Sequence, residues 1–413
     1  MTIKLTTDQS SALAEIRAFL MGNEKEFLLT GGSGSGKSTL MSHVLSSMEK
    51  FESMAVALDP NHNKLYEYHC CATTNEAAKI LSEKTGYGAE TVFKKFKLFL
   101  SKNYKTGNLD INTSKAIYYN QCLLLIDEVS MLSDHLREVL NTLTSNSCKI
   151  IYLGDKEQLD AVKAKCTVFD EGLPSAHLTT NNRNNNDIGE LGLLFKDAVI
   201  SGKLPVLNGI DTDQIKYVNG DQFRDLIERD FDLLQEVDDK RIITYTNERA
   251  IEYNNFIRAH HNKGGYIEGE QLFTNEAIMS EGTTIAPNNA LVTIKEVTND
   301  ATYQGLSGTN IKIEYSGNTA RGFIPNDAKA AKKVLKELSK AKAWSDFFNM
   351  QEVIFDLRPR FASTSHKTQG STLKTVYVDL NDIATCYSVK TIARLLYVGI
   401  TRATDRVYLY GSL

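Results

Sequence analysis

The sequence predicts an α/β protein of two parallel-sheet units, with a small insertion in the first and a larger, β-rich insertion in the second. Three observations carry this. Apolar runs of strand length alternate with helix-period segments at both ends of the chain. Polar groups stand directly after those runs, at the strand ends where open parallel sheets bind ligands. Between about residues 262 and 355 the character changes to short β-like runs with frequent glycines, and then the alternation resumes.

The elements follow in order. Leu13, Ile16, Phe19 and Leu20 recur at helical spacing, with Thr7 or Asp8 available as a cap. Phe27-Leu28-Leu29 reads as a buried strand running into Gly31-Gly32-Ser33-Gly34-Ser35-Gly36-Lys37-Ser38, and a helix is expected from Lys37. Cys122-Leu123-Leu124-Leu125-Ile126 is a second buried strand ending in Asp127-Glu128, and Ile150 to Leu153 a third ending in Gly154-Asp155. In the second unit, Arg241 to Tyr245, Val376 to Val378 and Val407 to Tyr410 are strand candidates, with helices from Glu248 and around Leu395-Leu396. Leu291 to Val297 and Ile311 to Tyr315 give the insertion its β character, and a lysine-rich helix follows from about Asp327 to Lys342.

With 413 residues the chain can bury two or three cores, and its 42% hydrophobic and 24% charged content is that of a soluble globular protein. No run approaches membrane-spanning length and the start lacks a secretory signal, so a cytoplasmic protein without a membrane partner is expected. A net charge of −4 leaves any nucleic-acid contact to local patches. The six cysteines show no zinc or redox spacing and the eight histidines are scattered, so no site of protein ligands alone is assigned to a metal.

The glycine-rich segment fits a phosphate loop in the strand–loop–helix context that its mechanism needs. Gly34, Ser35, Gly36 and Thr39 would help the backbone cradle phosphates, with Lys37 on the β and γ groups of ATP and Ser38 on magnesium. Beside that loop, Asp127 becomes the second magnesium contact and Glu128 the group that orients and deprotonates the attacking water. Alone, an acidic pair often does no more than end a strand. Gln158 could sense the γ phosphate, and Arg402, at the far end of the chain, could complete the site from another unit.

Between Thr91 and Gly107 five lysines (Lys94, Lys95, Lys97, Lys102, Lys105) are interleaved with Phe93, Phe96, Phe99 and Tyr104, without one acidic residue. Lysines neutralise phosphates and aromatic faces stack on bases for ~1–3 kcal/mol each. The competing reading is an amphipathic helix that buries Phe93, Phe96 and Leu100, and it is favoured for Phe93 and Phe96. Tyr104 to Ile111, turning at Thr106-Gly107-Asn108, reads as a hairpin. The lysines from Lys329 to Lys342 read first as a solvated helix face and, behind the brace for the hairpin that similar proteins imply, only third as a DNA contact.

Six segments occur in one order: Leu5-Thr6-Thr7-Asp8-Gln9, the phosphate loop, Asp127-Glu128, Gly154-Asp155-x-x-Gln158-Leu159, Ser365-His366-Lys367-Thr368-Gln369-Gly370, and Tyr397-Val398-x-x-Thr401-Arg402-Ala403. The set resembles superfamily 1 DNA helicases of the RecD-like 1B branch, over nearly the whole chain. The resemblance implies two RecA-like domains, 1–178 and 179–261 with 356–413. It adds a pin insertion at about 91–119 and an SH3-like and tower insertion at 262–355. It further implies that Gln9 reads adenine, that Arg183 and Arg402 reach the γ phosphate, and that Gly370 lies beside it. Thr74, Asn75, Thr91, Phe99, Thr364 and His366 become DNA contacts. The implied activity is ATP- and magnesium-dependent 5′-to-3′ unwinding of duplex from single-stranded DNA and its junctions, in phage replication or recombination. Single-strand-binding or other replication proteins would be partners, in the host cytoplasm. The alternative is a single-stranded DNA translocase that displaces proteins and unwinds weakly; more distant readings are a small-molecule kinase and a binding module with a vestigial site. The chain departs from the family pattern where Asp160-Ala161-Val162 follows Leu159, and where no proline precedes Thr74.

Overall fold

The computed structural model describes residues 5–32, 34–158, 167–179, 186–207, 210–231, 239–261, 265–280, 283–288, 290–369 and 371–413. Two all-parallel sheets organise the molecule. The first has six strands in the spatial order Ala89–Thr91, Glu67–Ala72, Cys122–Asp127, Lys149–Gly154, Glu26–Gly31, Ser175–Leu178. The second has five, ordered Ala362–Thr364, Lys240–Thr244, Leu373–Asp379, Ala403–Tyr410, Ile215–Val218.

Strands in such sheets are covered on both faces, so both parities of their side chains must be apolar. Leu123, Leu125, Ile151 and Leu153 point to the core shared with the helices Thr7–Met21 and Lys37–Leu58. Their neighbours Cys122, Leu124, Ile126, Ile150 and Tyr152 fill the opposite core with Leu136 and Leu140. The second sheet divides in the same way, Val376, Val378, Val407 and Leu409 on one face and Tyr377 and Tyr408 on the other. Each fully buried Leu or Val contributes roughly 1.5–3 kcal/mol by leaving water.

The parallel register aligns the strand ends that matter. Ala72 lies level with both Thr91 and Asp127, and Thr30 level with Gly154, so the loops after these strands open on one edge. At the other end the same register sets the buried Cys122 and Cys148 sulfurs 3.5 Å apart, a pairing that sequence spacing did not reveal. The first helix is capped by Thr6 rather than Thr7 or Asp8: Thr6 and Gln9 form a reciprocal capping box.

The inserted segment supplies four strands of an antiparallel five-stranded sheet, Asn318–Pro325, Leu306–Tyr315, Leu291–Tyr303 and Gln271–Thr274, and Leu357–Pro359, just beyond the expected boundary at 355, completes it beside Gln271–Thr274; two helices, Ala328–Lys340 and Trp344–Val353, follow Asn318–Pro325 in the chain. The first of these helices buries only Ala331 and leaves Lys332, Lys333, Lys336 and Lys340 exposed, the solvated face expected of it. The hairpin in the first unit pairs Phe99–Lys102 with Leu109–Asn112, so its strands start earlier than the Tyr104 to Ile111 reading placed them. Asn103 closes its turn, accepting the backbone N–H groups of Lys105 and Thr106 on its side chain. Phe96 is wholly buried and Phe93 half-buried, so both belong to the core, whereas Phe99 is 47% exposed.

Candidate functional site

The phosphate loop closes the strand Glu26–Gly31 and opens the helix Lys37–Leu58. Gly34 and Gly36 have φ of 81° and 86°, a left-handed backbone that glycine alone adopts without strain. Gly36 caps the helix without a side-chain bond, leaving the first-turn N–H groups to an anion. The Lys37 ammonium donates to the carbonyls of Gly31 at 2.6 Å and Gly32 at 3.2 Å, over the loop it would serve. Ser35 Oγ is buried without a hydrogen-bond partner among the described residues, and Gln9 Nε2 reaches the Ser35 carbonyl at 3.4 Å. Ser38 and Thr39 occupy the first helical turn. Gln9 is therefore beside the loop, with its carbonyl oxygen engaged in the capping box.

Asp127 and Glu128 end the strand Cys122–Asp127. Burial pushes the Asp127 carboxyl above its ordinary value against the pull of Lys37. Burial, and then the Asp127 charge, push Glu128 up as well, while Arg402 and Lys37 draw it down. Glu128 holds φ 54° and ψ 47°, a left-handed conformation costly for a non-glycine residue, fixed here by a Thr73 hydroxyl on its carbonyl at 3.2 Å. A hydroxyl and a carboxylate beside a phosphate loop are an oxygen set suited to magnesium, which keeps water and phosphate ligands. Among the described residues no cluster of three His, Cys, Asp or Glu could hold an ion unaided.

Asp155 follows the strand between those two and is the hub of the cleft. Burial opposes its charge, but Lys37, Glu157 and Tyr397 together hold its carboxyl below the usual range. Tyr397 Oη donates to Asp155 Oδ2 at 2.8 Å from the helix Val389–Ile400 of the second sheet's unit. Gln369 Nε2 donates across the same boundary to Gln158 Oε1 at 2.9 Å and Ser130 Oγ at 3.1 Å. Arg402 is 6% exposed, donates from Nε to the Val398 carbonyl at 3.1 Å, and acts electrostatically on Glu128. Lys37, Asp127, Glu128, Gln158 and Arg402 are thus gathered at one interface. Arg183, Gly370 and Leu159 lie outside the described residues.

The residues read as DNA contacts fall into three places. Thr74 and Thr91 stand at strand ends level with the Asp127 edge, where each hydroxyl caps a helix, accepting from Ala77 N and Lys94 N, and keeps its own O–H to donate. Asn75 is exposed at the start of the helix Asn75–Thr85. In the second unit Thr364 ends the edge strand and is 6% exposed, and burial lowers the His366 imidazole below its ordinary value. Phe99 lies apart, on the hairpin.

That hairpin is held by the helix Trp344–Val353. A Cβ on Gly107 would collide with the Trp344 ring, so the turn packs directly against the indole. Tyr104 meets Phe348 edge-on at 5.2 Å, and Lys102 pairs with Glu352 at 2.5 Å. These bracing contacts come from the aromatic helix. Sequence reading assigned no role to Trp344, Tyr397 or Asp155, although Asp155 and Tyr397 stand inside the ordered motifs and Trp344 is the chain's single tryptophan.

Residues 16–164 match the AAA domain family and residues 359–410 the UvrD-like helicase C-terminal domain family. The ATP-dependent DNA helicase dda of Enterobacteria phage T4 is 24% identical, over 98% of each chain. The ATP-dependent RecD2 DNA helicase of Deinococcus radiodurans is 25% identical, over 99% of this chain and 49% of its own. In fold, the chain is similar to the Pif1 helicase from Bacteroides in complex with ADP-AlF3 and ssDNA, with a TM-score of 0.50 at 12% identity over 100% of this chain and 93% of that one. Six ordered motifs, two RecA-like sheets meeting at one interface and these matches together make the chain similar to the superfamily 1 helicases.

Proposed function

We propose that this chain is an ATP- and magnesium-dependent DNA helicase that moves 5′-to-3′ along single-stranded DNA and unwinds duplex at the junction. The observation that carries this is the pair of bridges Tyr397–Asp155 and Gln369–Gln158, which join the two sheets through the carboxylate and amide that border the phosphate loop. A change at the phosphate is then felt by both units.

In this reading Lys37 would neutralise the β and γ phosphates, Ser38 and Asp127 would hold magnesium, and Glu128 would align and deprotonate water. Magnesium supplies charge neutralisation at the phosphate oxygens. Arg402, and Arg183 by position in the motif order, stabilise the charge that develops, while Gln9 reads the adenine. Closure tightens the grip of Thr74, Asn75, Thr91, Thr364 and His366 on the strand, and hydrolysis relaxes it. The natural units are 1–178, 179–261 with 356–413, and the insertion 262–355, whose sheet takes its last strand, Leu357–Pro359, from the start of the returning segment. Similarity to a phage helicase supports a role in phage replication or recombination. The exposed hairpin, with Phe99, Leu100, Tyr104 and Leu109 each at least 42% exposed, favours strand separation over protein displacement alone.

Steady-state ATPase with and without single-stranded DNA, paired with unwinding of 5′- and 3′-tailed duplexes, tests the reading. DNA-stimulated hydrolysis with unwinding from the 5′ tail is expected. Activity on the 3′-tailed duplex alone would reverse the polarity, and hydrolysis indifferent to DNA would reject the helicase.

A further inference from the structure

We infer that Lys196 is a cation for the terminal phosphate, contributed by the second unit and held at rest by Glu157. This rests on the nucleotide reading above and concerns a residue outside both matched family segments.

Lys196 lies on the helix Asp187–Ser201, and its Nζ is 3.9 Å from Glu157 Oε2 across the cleft. Both side chains are less than one-fifth exposed. A Cβ placed on Gly32 would come within 3.5 Å of Lys196 Nζ and 3.0 Å of Tyr397 Oη, so the absent side chain is what lets both groups approach the phosphate loop. The Lys37 ammonium already donates to the Gly32 carbonyl from the other side. Two ammonium groups from opposite units therefore converge on one residue, an arrangement that the anionic end of a triphosphate bridges and that otherwise is repulsive.

The resting partner is loose. A spacing of 3.9 Å exceeds that of a charge-assisted hydrogen bond, and Glu157 Oε2 has no hydrogen-bond partner among the described residues. Burial and then the neighbouring Asp155 push the Glu157 carboxyl upward, against the pull of Lys196. Exchange of Lys196 from Glu157 to the terminal phosphate breaks no covalent bond and ties the second unit to the loop. A diphosphate lacks the group that draws it away.

Titration of the full chain with fluorescent ADP and the β,γ-imido analogue of ATP, in magnesium without DNA, tests this. Lys196→Ala is expected to weaken the imido triphosphate about tenfold while ADP binding, which also reports a folded site, stays unchanged. Lys196→Arg should restore most of the loss, and Glu157→Gln should keep or strengthen triphosphate binding. An unchanged triphosphate-to-diphosphate ratio in Lys196→Ala, or equal loss of both nucleotides, would overturn the inference. So would the same loss in Glu157→Gln, which would make Lys196 an anchor of the interface. Loss of hydrolysis in Lys37→Ala beside an unchanged ratio in Lys196→Ala would end this inference and leave the proposed function standing.

Discussion

The cleft and the hairpin are both held by residues far away in sequence, yet by opposite kinds of contact. In the cleft, buried carboxylates and amides meet through directional hydrogen bonds: Tyr397 with Asp155, and Gln369 with Gln158. At the hairpin, broad aromatic surfaces dominate, with Trp344 under Gly107 and Phe348 against Tyr104, reinforced by one ion pair. Directional bonds change sharply with small movements, which suits a site that must register the gain and loss of a phosphate. Aromatic contacts tolerate sliding and resist load through area, which suits a wedge. Under the proposed function, chemistry and force would fall to different physics in one chain.

The largest effect that would break this contrast lies in the cleft. Lys37→Ala should lower hydrolysis by at least about 100-fold, as loss of a preorganised charge partner does, measured as phosphate release at saturating DNA. Tyr397→Phe removes one hydrogen bond to a buried carboxylate, worth about 1.5–3 kcal/mol, so DNA-stimulated hydrolysis should fall about 10- to 100-fold. A change under twofold would show that the bridge is incidental. Trp344→Ala should act on the other region alone: unwinding falls several-fold while hydrolysis on single-stranded DNA stays within about twofold, because an aromatic contact is worth ~0.5–1.5 kcal/mol beyond its area. Parallel loss of both activities would merge the two regions.

The smallest effect concerns the junction of the second sheet with the insertion. Burial, then Arg358, lowers the Lys367 ammonium to about 8. Between pH 8 and 10 the unfolded chain keeps this proton while the folded chain sheds it, so this group makes stability rise with pH over that window. Lys367→Met should flatten that rise in urea melts taken at several pH values; an unaltered profile would contradict the assignment.

Much of this was legible in sequence because it is local. A strand followed by glycines and a helix forms the same loop wherever it occurs, and runs such as Cys122 to Ile126 announce a strand buried on both faces. What stayed hidden is tertiary. Tyr397 and Asp155 are 242 residues apart, and neither shows in its own neighbourhood that it will be bonded. Cys122 and Cys148 become neighbours only through parallel register. The hairpin's strands were displaced because Asn103, which organises the turn, reads as one more polar residue in a lysine-rich run. The first cap falls on Thr6 and not on Thr7 or Asp8 for a similar reason: three residues of capping type stand together, and only the reciprocal bond with Gln9 distinguishes them.

The central claim is that groups from both units enclose one triphosphate. Its most direct test is a crystal structure with ADP, aluminium fluoride, magnesium and single-stranded DNA, reading the position of the Arg402 guanidinium. The account predicts that it leaves the Val398 carbonyl and lies about 3 Å from a fluoride, opposite Lys37. A guanidinium still bonded to Val398, with the fluoride contacted by the first unit alone, would contradict it.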